Sequence, residues 1–193
     1  VTPIQMLSVY MTIANGGLKL DPKLVKSVVD EKGNNKELKT TGQTQVISKQ
    51  TSSQLISMLI GVVENGTGTK AAVPGYSVAG KTGTARKAPY TANKHIASFA
   101  GFAPASNPRI AIIVILDEPE GQIYGGTVAA PVFSRLMSSA LRVVGVTPDR
   151  PNQGLSITNT ITTTPINQSN TVSTLPLVKP ITKPNQDSNI QND

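Results

Sequence analysis

The sequence predicts an α/β fold in which part of an antiparallel sheet carries helices packed on it. Two observations lead to this class. Strand-like segments follow one another at Tyr76 to Ala85, Ile96 to Ala103 and Arg109 to Leu116. The link Ala103-Pro-Ala-Ser-Asn-Pro-Arg109 is rich in turn residues and too short for a helical crossover, so the last two strands pair antiparallel. Before and after them lie stretches with helical apolar spacing and helix start and stop signals.

The first helix starts at Thr2-Pro3, a capping hydroxyl followed by proline where no N–H is needed. Ile4, Leu7, Met11 and Ala14 repeat at helical spacing, and Asn15-Gly16-Gly17 supplies the stop. Leu20 to Gln45 is polar and reads as short strands and loops, with "LVKSVV" as a strand and a turn at Gly33-Asn34-Asn35. A second helix starts near Ser48 and ends at Gly66, with Leu55, Met58, Leu59 and Val62 as its buried stripe. A third begins near Pro131, with Phe133, Leu136, Met137, Ala140 and Leu141 on one face, and closes at Gly145. "IAIIVIL" (Ile110 to Leu116) is apolar on both faces, the pattern of a central strand, and is too short to span a bilayer.

After Pro148 the composition turns to Thr, Asn, Pro and Gln with no aromatic residue. Such a stretch buries too little apolar surface to offset its ordering entropy, so residues 1–148 are expected as the folded part and 149–193 as a disordered tail. The chain starts at Val1, which leads to the expectation of a piece of a longer protein with any anchor upstream.

A net charge of +7 over 193 residues suggests an anionic partner. Three phenylalanines, four tyrosines and no tryptophan, with scattered cations, argue against a nucleic-acid platform. The absence of cysteine excludes disulfides and thiolate metal sites, and a single histidine, His95, excludes a multi-histidine site.

The stretch "VAGKTGTARKA" (Val78 to Ala88) concentrates the chemistry. Gly75 to Thr82 matches a phosphate-loop pattern letter for letter, but "TKAAVP" before it is no buried strand and "GTARKAPYTAN" after it is a poor helix. Gly66-Thr67-Gly68 is likewise no dinucleotide fingerprint, since no glycine follows at the required spacing. A strand edge fits better. Thr82 and Thr84 point to one side and Lys81 and Gly83 to the other, while the long lysine stem can curl toward the hydroxyls. Two hydroxyls and an ammonium can then hold a carboxylate. Gly83 removes a side chain where another chain approaches, and a peptide can add along the edge through its main chain.

Three blocks carry a family resemblance: "GTGTKAAVPGYSVAGKTGTA", "SFAGFAPASNPRIAIIVILDEP" and "YGGTVAAPVF". Together they resemble the second half of a penicillin-binding transpeptidase domain, most closely the division-specific class B (FtsI-like) type, over about Val1 to Pro148. The resemblance implies the penicillin-binding/serine β-lactamase-like fold and peptidoglycan D,D-transpeptidation in septal wall synthesis, with no metal or organic cofactor. It implies that Lys81 and Thr84 take part in catalysis. Lys81 organises the proton network, and the Thr84 N–H serves as an oxyanion donor. Thr82, Gly83 and Thr84 bind the carboxylate of a D-Ala-D-Ala stem peptide or a β-lactam, and Tyr124 borders the groove. It also implies cell-division partners and a periplasmic position, anchored by an upstream helix.

No lysine here has a serine three residues before it, and no S-x-N is present, so the chain lacks the family's nucleophile and is expected to be inactive alone. Two rivals are a serine β-lactamase-like hydrolase fragment and a non-catalytic basic binding module. Elsewhere, Tyr124 is as well explained by rim packing, and His95 reads as a satisfied or exposed side chain at a strand head. Asp117-Glu118-Pro119-Glu120 reads as a turn, and Arg86 and Lys87 as a positive rim or a solvated surface.

Overall fold

The structure is a computed structural model that describes residues 1–38, 42–90 and 94–151. Most of the expected tail lies outside the described residues. Helix α1 spans Pro3–Ala14. Thr2 Oγ1 accepts from the Gln5 N–H at 3.3 Å while Gln5 Oε1 accepts from the Thr2 N–H at 2.8 Å, a capping box that satisfies two otherwise orphaned donors. Two small antiparallel pairs follow: β1 (Leu18–Leu20) with β4 (Gln43–Gln45), and β2 (Ser27–Val29) with β3 (Asn35–Glu37). "LVKSVV" is thus a strand only in its second half. The β2–β3 turn runs from Asp30 to Asn34, because the Asp30 carboxylate collects the N–H groups of Lys32 and Asn34, both at 2.9 Å, and Asn35 already pairs in β3.

Helix α2 (Lys49–Glu64) starts where expected, with Ser48 Oγ accepting from the Thr51 N–H at 3.0 Å. Its buried face is shifted from the expected stripe, of which Leu55, Leu59 and Val62 remain partly buried. Met58 is 67% exposed, while Ser52 and Val63 are buried and Ile56, Leu59 and Ile60 are half-buried against the sheet. The difference comes from Ser52, whose hydroxyl donates to the Ile13 carbonyl of α1 at 2.6 Å. A satisfied hydroxyl is cheap to bury, so the helix can turn a polar residue inward.

A 3₁₀ turn (Thr69–Ala71) leads into the main sheet, ordered β5 (Ala79–Arg86), β6 (His95–Ala103), β7 (Ile110–Asp117) and antiparallel throughout. Alternation divides its sides. Ala79, Phe102 and Ala111 pack on α1 and α2. Phe99, Ile112 and Val114 pack on the other side, against Phe133, Met137 and Leu141 of α4 (Ala130–Val143). The Phe99 and Phe133 rings meet at 4.7 Å between centroids. Leu136, expected on this face, is half-exposed instead, one position off the Phe133–Met137–Leu141 line. "IAIIVIL" is apolar on both sides as expected, but among the described residues it pairs only with β6. A four-residue helical turn, α3 (Gly125–Val128), sits between β7 and α4.

Packing continues past Pro148. Ser77 N–H (2.7 Å), the Ser77 hydroxyl and the Ser106 hydroxyl (2.6 Å) all donate to the Asp149 carboxylate. The Tyr76 hydroxyl donates to the Val146 carbonyl at 2.7 Å, and Arg150 pairs with Glu64. This strap holds the chain that enters β5. Separately, α1 leaves Ile4, Met6 and Val9 exposed along an apolar groove of about 790 Å³.

Candidate active-site cleft

Strand β5 lies at one end of the main sheet and pairs only with β6 among the described residues, so the backbone groups on its outer side face no strand. Thr82 and Thr84 share one side of it. Lys81 starts from the opposite side, and its stem curls over so that Nζ donates to the Thr82 carbonyl and to Thr82 Oγ1, each at 3.1 Å. The ammonium and the first hydroxyl are thereby brought together. The edge position expected for Gly83 is present, but the space it leaves goes to the neighbouring strand. A Cβ at Gly83 would overlap Ser98 Oγ, its partner in β6, so the glycine makes room for that side chain.

The second hydroxyl is held from the far wall. Gly125 N–H, at the start of α3, donates to Thr84 Oγ1 at 3.1 Å. This contact requires glycine, because a Cβ at Gly125 would overlap the carbonyl oxygens of both Ser98 and Gly83. Gly126 is similarly closed in by the Thr67 carbonyl. Thr67 Oγ1 in turn lies 2.9 Å from Thr82 Oγ1. A cleft of about 360 Å³ opens between these walls, lined among others by Thr67, Lys70, Thr82, Thr84, Tyr124 and Thr127, with no acidic side chain in its lining. An acid-free surface of hydroxyls with cations at its edge is suited to a carboxylate, which accepts several donors at once. Tyr124 lines this cleft and is 62% exposed, so it borders open space and packs little.

The sequence did not point to Thr67, Lys70, Gly125, Gly126 or Thr127. Thr67 and the glycine pair lie inside the stretches that carry the family resemblance, yet nothing in their spacing says that the loop before β5 and the turn before α4 close on the same strand.

The remaining candidates sit away from the cleft. His95 is buried at the head of β6, opposite Arg86, and its carbonyl accepts from the Glu118 N–H at 2.9 Å. Asp117 and Glu118 are more than a turn. Lys87 Nζ lies 2.8 Å from Asp117 and 2.9 Å from Glu118, and Lys94 lies 2.6 Å from Glu118. Hydrogen bonds from Lys94 and Lys87 hold the Glu118 carboxyl below its ordinary value, and the Asp117 and Glu118 bonds raise the Lys87 ammonium. The charge of Lys87 is therefore neutralised, and it does not extend a positive rim. The Arg86 guanidinium donates to the Tyr90 carbonyl.

Comparison with known proteins matches this arrangement to one family. The penicillin binding protein transpeptidase domain is recognised over residues 1–138. Stage V sporulation protein D of Bacillus subtilis is 44% identical over 159 residues, covering 79% of this chain and 24% of that protein. The peptidoglycan D,D-transpeptidase FtsI of Escherichia coli is 36% identical over 159 residues, covering 80% of this chain and 25% of that protein. The crystal structure of penicillin-binding protein 3 from Mycobacterium tuberculosis, in complex with ampicillin, superposes with a TM-score of 0.70 at 34% identity, covering 79% of this chain and 37% of that one. The chain thus spans about a quarter of the length of these curated relatives. With its antiparallel sheet, flanking helices and lysine-threonine edge strand, the chain belongs to the penicillin-binding-protein transpeptidase domain family.

Proposed function

We propose that the intact protein is a peptidoglycan D,D-transpeptidase of septal wall synthesis, and that this chain supplies the substrate-binding edge of its active site. The observation that carries the reading is the convergence of Lys81, Thr82 and Thr84 on an open strand edge beside an acid-free cleft. In this reading the terminal carboxylate of a D-Ala-D-Ala stem peptide, or that of a β-lactam, accepts from the Thr82 and Thr84 hydroxyls. Gly83 keeps the strand close to β6 at this point. The Lys81 ammonium makes the potential more positive where negative charge gathers and joins the proton network, the Thr84 N–H donates to the oxyanion, and Tyr124 borders the groove.

The nucleophile is a serine in S-x-x-K contributed from outside this sequence. Its oxygen attacks the penultimate D-Ala carbonyl and forms an ester as D-Ala leaves with a proton. An amine of a neighbouring stem peptide then takes the acyl group, and the serine recovers its proton. Cell-division proteins as partners, and a periplasmic position with an anchor upstream, belong to the same proposal. Among the described residues no helix is long and apolar enough to cross a membrane.

The test is labelling with a fluorescent penicillin. The intact protein should form a stable covalent adduct, and this chain alone should form none, since it has no S-x-x-K serine. Failure of the intact protein to label, or rapid turnover of the β-lactam in place of a stable adduct, overturns the transpeptidase reading. A covalent band on the chain alone refutes the account of the missing nucleophile.

A further inference from the structure

Thr67 brings to Thr82, on the Lys81–Thr84 strand, a hydroxyl that the family pattern did not supply. Its place is well determined. It follows the C-terminus of α2, where the N–H groups of Gly66 and Gly68 both donate to the Val62 carbonyl, at 3.2 and 3.0 Å, and its own carbonyl closes on Gly126. The side chain therefore projects from an anchored turn.

A hydroxyl has one proton to give and two lone pairs to receive with. One lone pair of Thr82 Oγ1 is taken by the Lys81 ammonium at 3.1 Å, and Thr67 Oγ1 stands 2.9 Å away on another side. The two hydroxyls share one hydrogen bond and between them hold two protons. Whichever of them donates, one O–H remains for the cleft that both line. Thr84 is in a matching state, since its oxygen already accepts from Gly125 N–H at 3.1 Å and its proton stays available. Chained donors also polarise one another, so the outgoing O–H is a stronger donor than a solitary threonine's.

We infer that Thr67 is a positioning residue for the ligand carboxylate: it holds Thr82 Oγ1 so that one proton of the pair is turned to the carboxylate beside that of Thr84. This rests on reading the cleft as the seat of a D-Ala-D-Ala or β-lactam carboxylate.

The test uses the intact protein and two probes, a penicillin with its free carboxylate and the methyl ester of the same penicillin. Thr67→Val keeps the shape and removes the hydroxyl, whereas Thr67→Ser restores the hydroxyl and removes the methyl. Thr67→Val should lower the acylation rate constant for the free acid about tenfold, mainly through weaker initial binding. That is the size of one hydrogen bond to a charged group. The methyl ester should slow less than twofold, and Thr67→Ser should stay within twofold of the parent on both probes. A purely structural role leaves the acid-to-ester ratio unchanged, so equal slowing of the two probes overturns the inference. So does a Thr67→Ser variant as slow as Thr67→Val, or a Thr67→Val variant at the parent rate. Lys81→Ala measured alongside separates the failures. If it is slow while Thr67→Val is not, only the inference falls; if it too acylates at the parent rate, the underlying reading of the site falls with it.

Discussion

Gly80→Ala tests whether the position of the Lys81–Thr84 strand is set by packing underneath it. A Cβ at Gly80 would lie 2.6 Å from Phe99 Cζ, 2.7 Å from Phe99 Cε1 and 2.8 Å from the Ala100 carbonyl oxygen, where ordinary contact begins at 3.4 Å. The shortfall is about 0.8 Å, and little nearby can yield. Phe99 is fully buried with its ring 4.7 Å from that of Phe133, and Ala100 is part of the β6 ladder. The strand itself must therefore move, carrying Lys81, Thr82 and Thr84 with it. Overpacking of this kind costs about 1–3 kcal/mol. A displacement near 1 Å in groups that position a substrate costs on the order of 10² in rate. The expected result in the intact protein is β-lactam acylation slowed about a hundredfold, with a melting point lowered by a few degrees and the protein still folded at assay temperature. Because Phe99 supplies two of the three contacts, Phe99→Leu in the Gly80→Ala background should recover about 1 kcal/mol relative to the sum of the single changes. A Gly80→Ala protein that acylates and melts like its parent, or two substitutions that simply add, would refute the reasoning.

The other predictions concern charge, helix and strap. Lys81→Ala should slow acylation by about 10²–10³ through loss of a preorganised electrostatic contact. Lys87→Ala, which removes an ion-paired side chain at the far end of the strand, should leave the rate within about twofold; equal rates for the two variants in the same acylation assay would contradict this. Gly61→Ala, in the interior of α2 with open space where its Cβ would go, should stabilise the protein by about 0.5–1 kcal/mol in a thermal melt and leave acylation unchanged. At Asp149, burial raises the carboxyl, but bonds from Ser106 and Ser77 outweigh it and hold it below its ordinary value. Its stabilisation is therefore complete above the unfolded carboxylate range and disappears as the pH falls through the lowered folded value. Melting curves of Asp149→Asn should lie below the parent at neutral pH and converge with it in acid, and a constant gap across that range would count against the strap.

Much of the local structure was legible because its cause is local. Thr2 and Ser48 cap their helices through residues three positions on, and the glycines at 16, 17 and 145 end helices through positive φ. The antiparallel pairing of the last two strands follows from the length of the link between them. Lys81, Thr82 and Thr84 were legible from strand alternation together with the surrounding blocks. What the sequence could not decide is which distant segments meet. Ser52 faces inward because the Ile13 carbonyl receives its proton, and that rotates α2 so that Met58 turns outward. Lys87 is neutral in effect because β7 ends beside it, bringing Asp117 and Glu118 within reach. Thr67 and Gly125, far from Thr82 and Thr84 along the chain, complete the cleft through hydrogen bonds that exist only once α2, α3 and β5 are packed. Spacing along a chain determines turns, caps and the sides of a strand, because these depend on neighbours a few residues away. The far walls of a site depend on how packing brings separate elements together, and here that was decided by the buried contacts of Phe99, Ser52 and the glycines at 125 and 126.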